Sequence, residues 1–229
     1  MKIAVIGGAG VRTVIFINGL LKRYKKLHID EVVLYDIQEE KQRIIEKLCK
    51  HVVERNHEEL KVWAVSDPVE AITGADYIVT TLRVGGDHSR VVDETIALDL
   101  GVIGQETTGV GGFSMAVRTI PVLMEYCELI KKYAPDAWIF NFTNPSGLVT
   151  QALRSAGYDK IIGICDAPSS HQVPHGTRSG GGRRRSVCRI LRIKPPVLDP
   201  QRKEKRRGNL TGTAGGRCIF TGGTGILHV

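Results

Sequence analysis

The stretch that decides the fold stands at the start of the chain and runs Lys2-Ile3-Ala4-Val5-Ile6-Gly7-Gly8-Ala9-Gly10-Val11-Arg12-Thr13. Its first five residues form a short apolar run, which predicts a buried strand. After the glycines, apolar residues recur at the spacing of a helix, at Val14, Ile17, Leu20, Leu21 and Tyr24. A strand that enters a helix through a glycine-rich turn is typical of the first βαβ unit of an α/β protein.

The same alternation of strand and helix continues along the next 150 residues. Apolar runs predict further strands at residues 31–35, 62–65, 77–82, 138–142 and 160–165. Helices are predicted at residues 39–56, 68–74, 113–133 and 145–155. This order predicts a Rossmann-like, doubly wound and mostly parallel sheet, in which ligands lie at the carboxyl ends of the strands.

The glycine turn is a candidate dinucleotide site. Gly8 and Gly10 have the G-x-G spacing, although Thr13 stands where the third glycine of the motif is usual. Glycines let the backbone approach a pyrophosphate, and the helix that follows presents N–H donors to it. The residues predicted to bind the cofactor here are Gly7, Gly8, Gly10 and Val11. The alternatives are a turn that binds nothing and a nucleotide-sugar site.

A carboxylate stands at the end of the second predicted strand. Asp36 follows the apolar run of residues 31–35. A carboxylate at this place accepts hydrogen bonds from a ribose diol and repels a 2′-phosphate. Asp36 is therefore predicted to bind the cofactor and to favour NAD over NADP.

The charge of the 229-residue chain is unevenly distributed. The formal net charge is +8, but residues 173–229 hold 13 of the 32 Lys and Arg, 2 of the 24 Asp and Glu, and 11 of the 26 glycines. This basic, glycine-rich tail could be read as a nucleic-acid arm. Because Phe220 is its only aromatic residue, stacking on bases is disfavoured, and we expect no nucleic-acid partner. The tail is predicted to be irregular or disordered.

The remaining composition limits the location of the protein. No apolar run reaches the roughly 20 residues of a membrane span, and the apolar start is too short for a signal peptide. The five cysteines are scattered and have no CxxC spacing, so they predict no disulfide framework. We expect a cytoplasmic protein that does not contact the membrane.

Charged residues follow the fourth predicted strand. Arg83 and Arg90 suit an anionic substrate, because guanidinium groups bind phosphate in bidentate fashion. The alternative is a pair of solvated surface arginines. Glu106 lies in a second glycine-rich stretch, residues 104–113, which could also be only a flexible lid.

The last two predicted strands end on further candidates. Asn144 precedes Pro145, which suits the first turn of a helix, so Asn144 could be only a helix cap. Cys165 and Asp166 could supply a thiolate metal ligand and an acid. The alternative for Cys165 is a buried cysteine that only packs.

Taken together, these segments resemble glycoside hydrolase family 4 from Met1 to about Gln172. The motifs that agree in order are the turn 7–10, Arg83-Val84-Gly85-Gly86 with Arg90, residues 104–109, residues 142–148, and Gly163-Ile164-Cys165-Asp166. The resemblance implies a 6-phospho-glycosidase that uses NAD and a divalent metal, usually manganese. It implies hydride loss from sugar C3 to NAD, loss of the C2 proton, elimination at C1, addition of water, and reduction of the ketone.

The resemblance also assigns roles residue by residue. Arg90 and Asn144 correspond to substrate-binding residues, and Cys165 corresponds to a metal ligand. Asp166 matches a proton donor, and Glu106 matches a residue that raises the basicity of a tyrosine base. The implied partner is a phosphorylated disaccharide or glycoside, and full-length members are implied to be homo-oligomers.

The anomer is left open by these motifs. Asp166 matches the α-type members, whereas residues 81–86 and 142–148 are more similar to the β-type members. We therefore expect a 6-phospho-β-glucosidase, with a 6-phospho-α-glucosidase or an α-galactosidase as alternatives. A malate- or lactate-type dehydrogenase would share the glycine turn and Asp36 but would not need a metal.

The tail departs from the family, which continues with a second metal ligand, a tyrosine base and a substrate domain. Residues 191–199 allow codons that, one base later, read Phe-Gly-Leu-Asn-His-Leu-Ser-Trp, similar to the missing ligand segment. We therefore expect residues 1–172 to form the NAD-binding domain and residues 173–229 to be translated out of frame. A chain with such a tail is expected to be truncated and inactive: it should bind NAD weakly and should not turn over a substrate.

Overall fold

A computed structural model of the chain describes residues 1–165. The strands within them are β1 (Lys2–Ile6), β2 (Glu31–Tyr35), β3 (Lys61–Val65), β4 (Tyr77–Thr80), β5 (Trp138–Asn141) and β6 (Ile161–Gly163). The helices are α1 (Val11–Leu21), α2 (Glu39–Arg55), α3 (Pro68–Ile72), α4 (Gly86–Asp99), α5 (Gly109–Tyr133) and α6 (Ser146–Ser155).

The six strands form one sheet in the order β3-β2-β1-β4-β5-β6, and every neighbouring pair is parallel. The strand order therefore reverses between β1 and β4, which places a crevice at the carboxyl ends of these two strands. This arrangement confirms the predicted Rossmann-like, doubly wound sheet.

Helices cover both faces of the sheet, and the alternation of side chains along β1 separates two cores. Ile3 and Val5 pack into the core that contains residues of α1 and α2. Ala4 and Ile6 pack into the other core, which contains residues of α3, α5 and α6. Because both faces are buried, β1 and β2 read as continuous apolar runs rather than as alternating ones.

The carboxyl ends of the central strands align in one row. The register pairs Ile6 with both Tyr35 and Thr80, Thr80 with Asn141, and Asn141 with Gly163. The segments that follow β1, β2, β4, β5 and β6 therefore leave the sheet at the same edge. Most of the predicted site residues lie on these segments.

One helix was missed by the sequence analysis. Helix α4 occupies residues 86–99, between the predicted fourth strand and the glycine-rich stretch. Its buried residues are Asp93 and Ala97, whereas Val91 and Leu98 are exposed. An apolar stripe at helical spacing is absent from α4, so its sequence carries no periodic signal.

Several predicted element ends are corrected by the structure. Helix α5 begins at Gly109, not at Phe113, so the second half of the glycine-rich stretch is helical. Asn144 is not a helix cap, since α6 begins at Ser146 with Pro145 at the N-cap position. Strands β4, β5 and β6 end one or two residues earlier than predicted, because their pairing stops where the chain turns into the site segments.

The predictions for Asp166 and for the tail at residues 173–229 lie outside the described residues. So does the predicted domain boundary at residue 172. In the part of the chain that the structure describes, no helix is long and apolar enough to cross a membrane.

Candidate functional site

The glycine turn after β1 is held tightly against its neighbours. The amides of Gly7 and Gly8 both donate to the carbonyl oxygen of Tyr35, each at 2.9 Å. Gly7 has φ +93°, and a Cβ on it would lie 2.7 Å from the carbonyl group of Thr81. Only glycine can therefore occupy position 7 without moving the backbone that follows β4.

The helix that follows this turn begins without a side-chain cap. Gly10 is the N-cap residue of α1 and offers no side-chain acceptor to the first turn. A Cβ on Gly10 would come no closer than 3.8 Å to the protein, to the carbonyl oxygen of Gly7. This end of α1, with Val11 exposed beside it, is open to an external anion, which suits a pyrophosphate.

Asp36 is fixed relative to the glycine turn. One carboxylate oxygen, Oδ2, accepts from the amide of Ala9 at 3.0 Å, and Oδ1 accepts from the amide of Gln38 at 2.9 Å. Each carboxylate oxygen has a second lone pair, so Asp36 can also accept from hydroxyl groups. The structure thus brings Gly7, Gly8, Gly10, Val11 and Asp36 to one edge, as the sequence predicted. Their geometry fits a dinucleotide with a free ribose diol.

Two arginines converge on one carboxylate at the end of β4. Nη2 of Arg83 lies 2.9 Å from Oε1 of Glu106, and Nη1 of Arg90 lies 3.7 Å from Oε2. The Glu106 side chain is only 14% exposed. We call these three residues the Arg–Glu–Arg cluster. It joins candidates that the sequence identified in two separate segments.

Each arginine of the cluster has a second acidic partner one helical turn away. Nη1 of Arg83 donates to Oδ1 of Asp87 at 2.7 Å, and Nε of Arg90 donates to Oε1 of Glu94 at 2.8 Å. The hydrogen bond that Arg90 donates to Glu94 is the main reason that the pKa of Arg90 is raised. Both guanidinium groups are therefore held in ion pairs at two of their nitrogens.

The stretch that carries Glu106 packs closely on the start of α5. A Cβ on Gly111 would lie 2.3 Å from the carbonyl oxygen of Gln105, and one on Gly112 would lie 2.5 Å from that of Thr107. The glycines therefore let residues 105–107 lie against the helix backbone. This close packing fixes Glu106 and explains why α5 begins among glycines.

An ion pair that sequence reasoning missed holds the segment after β4. Nε of Arg118 donates to the carbonyl oxygen of Val84 at 3.0 Å. The other two guanidinium nitrogens donate to the buried carboxylate of Asp93, at 3.3 and 2.7 Å. Arg118 on α5 thus fixes the turn that carries Arg83. No sequence signal pointed to this pair, because Asp93 lies in the helix that the periodicity did not predict.

Asn141, the last residue of β5, organises the next segment and was also missed. Its Oδ1 accepts from the hydroxyl of Thr80 at 2.9 Å and from the amide of Thr143 at 3.1 Å. Its Nδ2 donates to the hydroxyl of Thr150 at 3.0 Å. Asn141 is fully buried, so all these groups depend on one another for hydrogen bonds. The sequence signal that could have identified Asn141 is a polar residue at the end of an otherwise apolar strand.

Further hydrogen bonds join this network to both neighbouring strands. The hydroxyl of Thr143 accepts from the amide of Leu82 at 3.2 Å, on the β4 side. On the β6 side, the amide of Ile164 donates to the carbonyl oxygen of Asn141 at 2.9 Å. The half-buried Asn144 follows Thr143 directly, so the network determines where Asn144 lies.

Cys165 follows Ile164 and is exposed, so the alternative that it is a buried packing cysteine is wrong. Among residues 1–165, no three His, Cys, Asp or Glu side chains form a group that could hold a metal ion. One thiol is too few ligands for a metal site. The described residues therefore do not form a complete metal site, and Cys165 is the predicted ligand that lies among them.

The thiols of Cys49 and Cys127 differ from Cys165 in environment. Burial raises the pKa of Cys49 to about 11 and that of Cys127 to about 12. We expect iodoacetamide at pH 8 to label Cys165 first and to label the two buried thiols only in urea, as read by peptide mass spectrometry. Above pH 9 the thiols of Cys49 and Cys127 would ionise in the unfolded chain while they stay protonated in the folded one. The free energy of unfolding should therefore fall as the pH rises. Labelling of Cys49 or Cys127 at the rate of Cys165 would contradict this expectation.

The model of the family 4 glycosyl hydrolases matches residues 2–173. The chain belongs to glycosyl hydrolase family 4. The predicted resemblance is confirmed, and the alternative of a malate- or lactate-type dehydrogenase is set aside.

Relatives within glycosyl hydrolase family 4 act on phosphorylated glucosides, by their names. The 6-phospho-β-glucosidase BglT of Thermotoga maritima is 45% identical over 170 residues, which cover 73% of this chain and 40% of the relative. The 6-phospho-α-glucosidase 1 of Lacticaseibacillus paracasei is 35% identical over 168 residues, which cover 73% of this chain and 38% of the relative. The chain spans about two fifths of the length of these curated relatives.

A solved structure of this family agrees with the fold. The T. maritima 6-phospho-β-glucosidase with manganese, NAD+ and glucose-6-phosphate superposes with a TM-score of 0.71 at 43% identity. The match covers 75% of this chain and 41% of that one.

Proposed function

We propose that residues 1–165 form the NAD-binding part of a glycosidase that hydrolyses 6-phospho-glycosides, with a 6-phospho-β-glucoside as substrate. The identity of 45% to a β-type relative, against 35% to an α-type relative, supports the β anomer. A 6-phospho-α-glucosidase is the second candidate, because Asp166 matches the α-type members. The proposal includes NAD and manganese as cofactors, a cytoplasmic location, and assembly into homo-oligomers.

The observation that carries the proposal is that one segment joins the glycine turn to the Arg–Glu–Arg cluster. Gly7 lies against the backbone of Thr81 and Leu82, and Arg83 follows directly. Arg83 then binds Glu106. A dinucleotide in the crevice would therefore end beside a pair of guanidinium groups, where a phosphorylated sugar can bind.

Arg83 and Arg90 have different roles in this proposal. Arg83 lies close to Glu106, at 2.9 Å, whereas the nearest nitrogen of Arg90 is 3.7 Å away. Arg90 is also the more exposed of the two, at 41% against 32%. Arg83 therefore holds Glu106, and Arg90 can turn to the phosphate of the sugar without leaving Glu106 unpaired. Asn144 is proposed as a second contact to the sugar.

The chemistry divides between the cofactor and the chain. NAD, when bound, supplies a hydride acceptor for the sugar. Glu106 is proposed to raise the basicity of a tyrosine base, since Arg83 fixes one of its carboxylate oxygens at 2.9 Å and so orients the other. Cys165 is proposed as one ligand of the metal, with further ligands outside residues 1–165, and Asp166 as the proton donor.

Binding measurements test the proposal on the chain itself. By calorimetry we expect NAD to bind at least about tenfold more tightly than NADP, because Asp36 repels a 2′-phosphate. We expect glucose-6-phosphate to bind and Arg90→Gln to remove most of that binding. A chain that binds neither NAD nor glucose-6-phosphate would contradict the proposal.

Activity is a separate question, since the tail at residues 173–229 departs from the family. We propose that this chain does not turn over 4-nitrophenyl 6-phospho-β-glucoside in the presence of NAD and manganese. Turnover would contradict the proposal that the chain is inactive. If a chelator then abolished that turnover, the result would support a requirement for the metal. The DNA sequence across codons 165–200 tests the proposed change of reading frame.

The substitution Gly10→Ala tests the proposed pyrophosphate position. The new Cβ meets no protein atom closer than 3.8 Å, so the melting temperature should change little. The methyl group would stand where the cofactor approaches α1, so we expect the Kd for NAD to rise roughly tenfold or more. Gly19→Ala in the same helix is the matched control, because a Cβ there has open space and lies away from the turn. Equal Kd values for Gly10→Ala and the unchanged protein would place the pyrophosphate elsewhere.

A further inference from the structure

Helix α1 turns one stripe of side chains towards the sheet, and Thr13 is the first residue of that stripe. Ile17 and Leu20 follow it at helical spacing, and both pack into the core that contains residues of β1 and β2. Thr13 is itself only 2% exposed. The buried stripe therefore begins with a hydroxyl group, whereas the side chains that continue it are apolar.

This hydroxyl group has no partner in the protein. Among residues 1–165, three buried side-chain oxygens accept and donate no hydrogen bond, and they belong to Thr13, Gln42 and Thr119. Gln42 is held by its amide nitrogen, which donates to carbonyl oxygens near the ends of β2 and β3. Thr119 lies in the middle of α5. Thr13 differs from both, because it lies in the first turn of a helix whose end is open to a ligand.

The geometry of a helix directs the Thr13 side chain towards the glycine turn. Every Cα–Cβ bond of an α-helix tilts towards the N-terminus, so a side chain covers the turn that precedes its own Cα. For Thr13 that turn begins at Gly10, the N-cap residue, whose carbonyl oxygen accepts from the amide of Thr13 at 2.9 Å. The hydroxyl group therefore lies between the sheet and the open end of α1, behind the proposed pyrophosphate position.

We propose that the hydroxyl group of Thr13 binds the pyrophosphate of the dinucleotide through one water molecule held beneath the glycine turn. The inference rests on the proposed NAD site and adds a positioning residue to it. The hydroxyl oxygen is buried, so a ligand cannot touch it directly and a water must carry the contact. The hydroxyl donates to the water, and the water donates to a phosphate oxygen, which only accepts. The buried hydroxyl thereby gains a partner, and the phosphate gains a donor.

A packing role explains less of the arrangement. Valine has nearly the shape of threonine and would fill the same place without a hydroxyl group that has to leave water. Glycine, which is usual at this position of the motif, would let α1 approach the sheet closely. Neither residue supplies a donor, so the hydroxyl group is the property that distinguishes Thr13.

The substitution Thr13→Val separates the hydroxyl group from the shape of the side chain. By calorimetry we expect it to raise the Kd values for NAD+ and ADP-ribose, which share the pyrophosphate, by the same factor of roughly 5 to 30. The melting temperature of the free protein should stay the same or rise, because valine has no hydroxyl to leave without a partner. Thr13→Ser keeps the hydroxyl group and should bind both ligands within about twofold of the unchanged protein.

Thr119→Val is the matched control. Thr119 is fully buried, its hydroxyl is also without a partner among residues 1–165, and its neighbours one turn away are the apolar Met115 and Leu123. The control should change the melting temperature in the same direction as Thr13→Val and should leave both Kd values unchanged. Adenosine, which lacks the pyrophosphate, should bind equally to all variants in NMR titrations.

The outcomes separate the inference from the proposal on which it rests. If the unchanged protein binds neither NAD+ nor ADP-ribose, the NAD site itself is wrong and the inference falls with it. If the protein binds both and Thr13→Val leaves both Kd values unchanged, the NAD site stands and the inference is wrong. An equal loss in Thr13→Ser would assign the effect to side-chain volume, and an equal loss for adenosine would assign it to a deformed site. Either result would overturn the inference, as would a Thr13→Val protein that unfolds, since the hydroxyl would then be a structural group.

Discussion

Replacing Asn141 with alanine is expected to lower the free energy of unfolding by about 3 kcal/mol, one of the two largest effects that we predict. The side chain is fully buried and serves the hydroxyls of Thr80 and Thr150 and the amide of Thr143. Alanine would leave these groups without their partner in a site that a bulky side chain has vacated. Buried polar groups without hydrogen bonds are costly, so their losses add to that of the cavity.

Urea unfolding at 25 °C, followed by circular dichroism, measures this effect. Asn56→Ala is the matched control, because Asn56 is exposed and its side chain donates a hydrogen bond to the carbonyl oxygen of Val52 at 2.7 Å. We expect the control to lose less than about 1 kcal/mol. Equal losses in both variants would mean that the Asn141 network does not hold the ends of β4, β5 and β6.

The second large effect is expected from Gly7→Ala. A Cβ at this position would lie 2.7 Å from backbone atoms of both Thr81 and Leu82, and φ is +93°. Backbone cannot move aside as a flexible side chain can, so the turn must separate from the end of β4. We expect a loss of about 2–4 kcal/mol in the free energy of unfolding and the loss of measurable NAD binding.

Gly74→Ala separates the two causes of this effect. Gly74 also has a positive φ, +69°, but a Cβ on it would have open space. The control therefore keeps the conformational penalty, about 1 kcal/mol, and removes the steric overlap. Thermal melts and NAD titrations of both variants give the comparison. A Gly7→Ala protein as stable as the Gly74→Ala protein would show that the turn can withdraw from β4 at little cost.

The sheet could be predicted because each strand can be recognised from its own residues, without knowledge of distant contacts. Residues 3–6 and 32–35 are buried on both faces of the sheet, and this burial shows in the sequence as four consecutive apolar residues in each strand. The glycine turn and Asp36 could be placed for a similar reason, since each directly follows a strand. Once the strands are parallel, their carboxyl ends must share one edge.

Helix α4 and the contacts that depend on it could not be predicted. The helix buries Asp93 instead of an apolar stripe, and Asp93 is held by Arg118, which lies 25 residues further along the chain. A long-range ion pair leaves no periodic trace in either segment. The convergence of Arg83 and Arg90 on Glu106 also joins residues that are distant in the sequence, so it could not be predicted either. The sequence identified all three residues, but only the packing of residues 105–107 on α5 brings them together.

Asn144 illustrates a different kind of error. The pair Asn144-Pro145 looks like a cap followed by the first residue of a helix, and that local pattern is common. In the fold, the network around Asn141 fixes the chain on either side, and the helix begins one residue later than this pattern implies. Tertiary hydrogen bonds therefore override the local preference.

The bond between Asp36 and the amide of Ala9 restricts how the cofactor preference could be redesigned. Replacing this acidic residue with a small or basic one would remove the repulsion of a 2′-phosphate and could admit the phosphorylated cofactor. In this protein that change would also release the Ala9 amide, because the carboxylate accepts from it at 3.0 Å. A successful switch would need a substitute acceptor, such as serine, at position 36 and a separate cation nearby for the added phosphate.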